Sequence, residues 1–133
     1  MTKLRPYLYC EDAKDQANFY MEALGGEIIS QQTYGEMMPG TSEDDKDRVM
    51  HLVLQAAGLL FYMADAGPIH RGNGIDLTLE FETEEEAEDA FNNLSGNGGA
   101  IIMPFERMFW GSMFGRIEDK YGVRWQIATQ PGH

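Results

Sequence analysis

The residues able to do chemistry are few and scattered. His51 falls in a strand-like run and His70 in a Gly- and Pro-containing linker, and neither has a second His two or four positions away to complete a local chelate. His51 is therefore read first as a structural histidine. Glu43, Asp44, Asp45 and Asp47 crowd one stretch, but their spacing is not that of a calcium loop, and a solvated acidic loop is expected. Cys10 shares the buried phase of its run with Leu8, so an inert packed thiol is expected. No Gly-rich loop follows a strand to cradle phosphate, because Gly96 and Gly98-Gly99 come after a helix. No nucleophile elbow is present. Met103, Phe105, Met108, Phe109, Trp110, Met113 and Phe114 gather in one segment, with the chemistry of either a flexible apolar pocket or ordinary core and dimer contact.

The elements that must position these residues follow from periodicity. Residues 4–10 alternate around Tyr7 and Tyr9 as a strand with Pro6 near its start. Asp12 is the expected N-cap of a helix over 13–24, where Ala13, Ala17, Tyr20 and Leu24 line one face. Gly25 ends it, and 27–34 reads as a strand. Residues 35–47 have no periodicity and read as a mobile loop. Runs 48–56 and 59–65 form a hairpin through Ala57-Gly58. After a linker over 66–74, the strand 75–82 alternates Leu77, Leu79 and Phe81 with polar residues. Thr83 and Glu86 make a capping box for a helix whose apolar face is Ala87, Ala90, Phe91 and Leu94. Strands over 100–106, 112–118 and 123–129 follow, with Asp119-Lys120-Tyr121-Gly122 as the last turn and a frayed tail over 130–133.

One unit thus occurs twice. Gly25-Gly26-Glu27-Ile28-Ile29 after the first helix returns as Gly98-Gly99-Ala100-Ile101-Ile102 after the second, and the strand after Gly58 returns after Gly122. Each copy reads strand, helix, three strands. The fold class expected is α+β: two βαβββ repeats, about 1–66 and 75–130, forming a cupped eight-stranded mixed sheet with helices outside, as one domain over 1–133. Half such a sheet cannot bury its own apolar face, so the copies are expected to pair around a ligand groove.

Composition bounds the partners. Ten Lys and Arg stand against 22 Asp and Glu, a net charge of -12, which leaves no cationic stripe for nucleic acid and disfavours anionic membranes. The opening Met1-Thr2-Lys3-Leu4-Arg5-Pro6 has no apolar signal core, and the longest apolar run, 56–64, is too short to span a bilayer. With a single Cys, a cytoplasmic location is expected.

Phe19-Tyr20 followed by Ala23-Leu24-Gly25-Gly26 resembles the first helix of the vicinal-oxygen-chelate superfamily, the glyoxalase, bleomycin-resistance and dioxygenase group. The stretch from Trp110-Gly111 through Phe114-Gly115 to Asp119-Lys120-Tyr121-Gly122-Val123-Arg124-Trp125 resembles its PhnB-like branch, as do Pro6-Tyr7-Leu8 and Arg48-Val49-Met50-His51. The resemblance implies two βαβββ units cupped around a cavity, homodimers, and in many members a divalent metal held by one side chain from the first and last strand of each unit. Carried onto this chain, those positions fall at about Arg5, at Asp76 or Leu77, at Tyr62 and at Gln126. A cation, one carboxylate, a phenol and an amide make a poor metal cage. The leading expectation is a dimeric small-molecule-binding protein without metal or other cofactor, its ligand polar or anionic. Arg5, Tyr62 and Gln126 are its expected polar anchors, and Trp110, Phe114 and Trp125 its apolar walls. The alternatives are a metal-dependent isomerase, lyase or dioxygenase using Asp76, Gln126 and His51, and a non-catalytic structural protein. The branch includes proteins named as demethylubiquinone methyltransferases, but no cofactor fingerprint here supports methyl transfer.

Overall fold

Asp12 opens the first helix. Its carboxylate accepts from the Asp15 amide at 3.1 Å, and α1 (Ala13–Leu24) follows. A second carboxylate, Asp65, accepts from the Ala13 amide at 2.6 Å and the Val49 amide at 2.7 Å. It ties the start of α1 to two strands and complements the positive end of the helix. These details come from a computed structural model that describes residues 1–130; the expected fraying of the tail beyond Gln130 lies outside the described residues.

The chain divides between His70 and Arg71 into two units. The first contains β1 (Tyr7–Cys10), α1, β2 (Gly26–Thr33), α2 (Tyr34–Met37), β3 (Val49–Ala56) and β4 (Leu59–Asp65). Its sheet has the order β1-β4-β3-β2, with β1 parallel to β4 and the other pairs antiparallel. The second contains β5 (Leu77–Phe81), α3 (Glu84–Ser95), β6 (Ala100–Arg107), β7 (Met113–Glu118) and β8 (Arg124–Thr129). Its order, β5-β8-β7-β6, again has one parallel pair, β5 with β8. The fold is α+β, two βαβββ repeats that form two four-stranded mixed sheets.

Sequence symmetry reappears as the same backbone contact in each unit. A Cβ on Gly26 would lie 1.8 Å from the Gln55 carbonyl oxygen, and one on Gly99 would lie 2.8 Å from the Glu118 carbonyl oxygen. Gln55 and Glu118 hold matching places, paired with Leu60 and Arg124 just after the two turns. Both glycines are there because strand and hairpin approach too closely for a side chain.

Alternation divides each sheet into a helix face and an open face. In the first unit Leu52, Leu54, Phe61 and Met63 are buried on the side of Ala13, Ala17 and Tyr20 of α1. In the second, Leu79, Ile117, Trp125 and Ile127 are buried with Ala87, Ala90, Phe91 and Leu94 of α3. Each large side chain so buried contributes about 1.5–3 kcal/mol. Cys10 is fully buried, as its phase required.

Three differences from the sequence reading have local causes. The first strand begins at Tyr7 rather than residue 4, since Pro6 has no amide to donate, and Leu4 is 92% exposed. The fifth begins at Leu77, leaving Asp76 just ahead of it. Within the stretch read as a loop, Thr33 and Glu36 form a capping box that starts the single turn α2. The Gly35 amide donates to the Lys46 carbonyl at 2.9 Å, so this excursion closes on itself. Among the described residues no helix is long and apolar enough to cross a membrane.

Candidate functional site

Register decides which side chains share the open faces. Tyr62 on β4 stands opposite Tyr7 on β1 and Val53 on β3. Gln126 on β8 stands opposite Thr78 on β5 and Arg116 on β7. The first-strand positions are thus Tyr7 and Thr78. Arg5 lies two residues before the first of them, outside the strand, with its Nη1 donating to the Leu4 carbonyl at 3.5 Å.

On the open face of the first unit, Tyr7, His51 and Tyr62 form a closed triangle. Their ring centroids are separated by 5.7 Å (Tyr7 to His51), 6.1 Å (Tyr7 to Tyr62) and 5.4 Å (His51 to Tyr62), and Tyr9 lies 5.1 Å from Tyr7. At these separations the rings touch one another, so the cluster is a platform rather than a cage with room inside. The Tyr7 hydroxyl and His51 Nδ1 are 3.1 Å apart. Burial, then the neighbouring Tyr9 and Tyr34, raise the Tyr7 pKa above its ordinary value, so the phenol is neutral at pH 7.

The open face of the second unit is polar. Arg116 Nε donates to Asp76 Oδ2 at 2.8 Å. Gln126 Nε2 donates to the same oxygen at 3.2 Å, and the Thr78 hydroxyl donates to Gln126 Oε1 at 3.1 Å. The hydrogen bond from Arg116 leads the causes that hold the Asp76 carboxyl below the usual carboxylate range; burial opposes it. One row along, Arg124 Nε donates to Glu118 at 3.1 Å. Phe114 precedes Arg116 by two residues on the same face, and the Trp110 ring lies 6.2 Å from it, edge to face. Gln126 and Phe114 therefore flank one residue that sequence reasoning passed over, Arg116, with Trp110 beyond Phe114. The signal was present: it is a charged position between buried Gly115 and Ile117.

Trp125 is not a wall of this face. Adjacent strand residues point oppositely, and Trp125, 1% exposed, turns away from Gln126 with Leu77 and Ile117 as cross-strand neighbours. Its indole N–H donates to Asp119 Oδ2 at 2.8 Å, while Asp119 Oδ1 accepts from the Tyr121 and Val123 amides at 2.8 and 3.1 Å. The Asp, aromatic, Gly, Trp signature is a latched turn. The preceding aromatic-Gly pair is also steric, because a Cβ on Gly115 would come within 2.6 Å of the Phe91 ring. Two surface hollows, about 370 and 510 Å³, border the acidic excursion; Glu36 and Lys46 line the first, Asp12, Arg48 and Asp65 the second. Neither contains any residue of the two open faces described above.

Paired βαβββ repeats with these register positions define a class, and the chain belongs to the Glyoxalase/Bleomycin resistance protein/Dioxygenase superfamily, whose family model matches residues 4–127. It is 31% identical to protein YjdN of Escherichia coli strain K12 over 93% of this chain and 92% of that one. A PhnB protein from Bacillus cereus, titled a putative 3-demethylubiquinone-9 3-methyltransferase, is 31% identical, with TM-score 0.76 over 97% of this chain and 100% of that one. Protein PA1353 from Pseudomonas aeruginosa is 26% identical, with TM-score 0.83 over 99% and 100%.

The residues at the implied metal positions do not fit a divalent ion. Tyr7 and Tyr62 are phenols, Thr78 a hydroxyl and Gln126 an amide already bonded on both sides. The carboxylate beside Gln126, Asp76, is held by a guanidinium. Among the described residues, no group of three or more His, Cys, Asp or Glu side chains is placed to hold a metal ion.

Proposed function

We infer that this protein is a PhnB-like small-molecule-binding member of its superfamily that works without a metal. The observation that carries the reading is the engagement of Asp76 by Arg116 and Gln126. A divalent ion about 5 Å from a guanidinium is repelled by roughly 7 kcal/mol at an effective dielectric of ~20, which offsets about half the attraction of one carboxylate at a coordination distance of about 2.2 Å. The ligand meets the open face of the second unit, with Gln126 as a polar anchor and Phe114 and Trp110 as apolar walls; Tyr62 is a polar anchor on the open face of the first. Arg116 supplies the cation that sequence reasoning had assigned to Arg5.

The protein acts as a cytoplasmic homodimer in this reading. Ile29 on the edge strand β2 and Ile101 and Met103 on the edge strand β6 are 51%, 57% and 37% exposed, and exposed apolar edges call for cover. Light scattering at micromolar concentration tests the assembly, and a mass of 15.0 kDa for the scattering species would contradict it. Calorimetric titration with Mn, Zn and Ni tests the chemistry. No saturable one-to-one binding is expected; a tight one-to-one isotherm that Gln126→Ala abolishes would support the metal-dependent alternative instead.

A further inference from the structure

The open face of the second unit carries an arginine whose recognising end has no protein partner. Arg116 hydrogen-bonds Asp76 through Nε, and Nη1 and Nη2 make no hydrogen bond with any described residue. The side chain is only 26% exposed and Asp76 11%, so the guanidinium is held in place by packing and by one charged bond. A guanidinium anchored through Nε still offers the parallel pair of N–H groups that a carboxylate accepts. Its orientation is fixed before any ligand arrives, which lowers the ordering cost of binding.

What surrounds the fork selects the rest of the ligand. Phe114 lies on the same face two residues away, and Trp110, 54% exposed, stands edge to face with it at 6.2 Å. An apolar body extending from the carboxylate meets these rings. Asp76 and Glu118 each occupy one arginine of this face, and the chain carries a net charge of -12, so a second negative charge on the ligand finds no free cation here. With two arginines already set against two carboxylates, a monoanion is matched by the N–H pair rather than by net charge, and a dianion is opposed more strongly.

We propose that Arg116, braced by Asp76 and bordered by Phe114 and Trp110, binds a small monocarboxylic acid carrying an aromatic ring. This rests on the metal-free reading only in taking the open face as the ligand's side. The test is calorimetry and Trp fluorescence with benzoate, benzamide and phenylphosphonate at pH 7.5, on wild type, Arg116→Lys, Phe114→Ala and the paired variant Arg116→Gln with Asp76→Asn. Saturable benzoate binding is expected, with benzamide and phenylphosphonate weaker. Loss of the fork in Arg116→Lys should weaken benzoate by about tenfold or more, the scale of a charged hydrogen bond. The paired variant leaves no buried charge unmatched and should not bind. In wild type, benzoate should shift the Arg116 side-chain nitrogen resonances, a readout that needs no variant to fold. Equal binding of benzoate and benzamide, unchanged affinity in Arg116→Lys, or no benzoate binding at millimolar concentration would each overturn the proposal. The metal-free reading fails separately, on retained metal, whatever benzoate does.

Discussion

Replacing Asp119 by Asn should destabilise the protein without touching the open face. The carboxylate is 2% exposed and accepts from the Trp125 indole and from the Tyr121 and Val123 amides. An amide can accept on one side only. In one orientation its NH2 faces the Trp125 N–H, in the other it faces two turn amides, so at least one buried donor loses its acceptor. Each such loss costs about 1–3 kcal/mol, and Asp119→Asn should cost roughly 2 kcal/mol, Asp119→Ala roughly 3. For a chain of this size that lowers Tm by about 6–10 °C. Urea unfolding followed by Trp fluorescence and circular dichroism measures it. In Trp125→Phe the indole donor is gone, so the cost of Asp119→Asn there should fall by about 1 kcal/mol. A stability within ~0.5 kcal/mol of wild type for Asp119→Asn would refute the latch.

The repeat makes a paired prediction: Gly26→Ala and Gly99→Ala should each destabilise by more than about 2 kcal/mol in urea, Gly26 more, because its Cβ meets a carbonyl at 1.8 Å. Tyr7 should ionise above the ordinary tyrosine value in an ultraviolet titration, and Tyr7→Phe should remove that step. Its folded pKa is raised, so any stability it contributes is complete below the unfolded value and is lost as pH rises through the folded one. Asp76 runs the other way: its pKa is lowered, so its contribution is present above the unfolded value of 3.8 and lost as pH falls through the folded one; Asp76→Asn should flatten the acid limb of stability against pH. Arg5→Ala should leave benzoate affinity within about twofold of wild type, since Arg5 stands outside β1.

Much of this fold was legible because its signals are local. Asp12 and Thr83 announced their helices, and Ala57-Gly58 fixed a hairpin whose count placed Tyr62 where the structure has it. Gly122 placed Gln126 in the same way. The first strands were harder. β1 and β5 pair in parallel with strands far along the chain, with no turn to count from, and the position assigned to Arg5 belongs to Tyr7. Arg116 was missed for a related reason: alternation gives its face, but its partner Asp76 is 40 residues away and lies outside any strand. Trp125 belongs to a strong motif that draws it toward the site, whereas its phase, between Arg124 and Gln126, points it to the core.

The central claim is that a guanidinium and an amide stand where a metal's charged donors would be needed. Elemental analysis of the purified protein after exhaustive dialysis, set beside Gln126→Ala and Arg116→Gln, tests it most directly. The account predicts well under one equivalent of any divalent metal in all three proteins. One equivalent retained by wild type and lost in Gln126→Ala would contradict it.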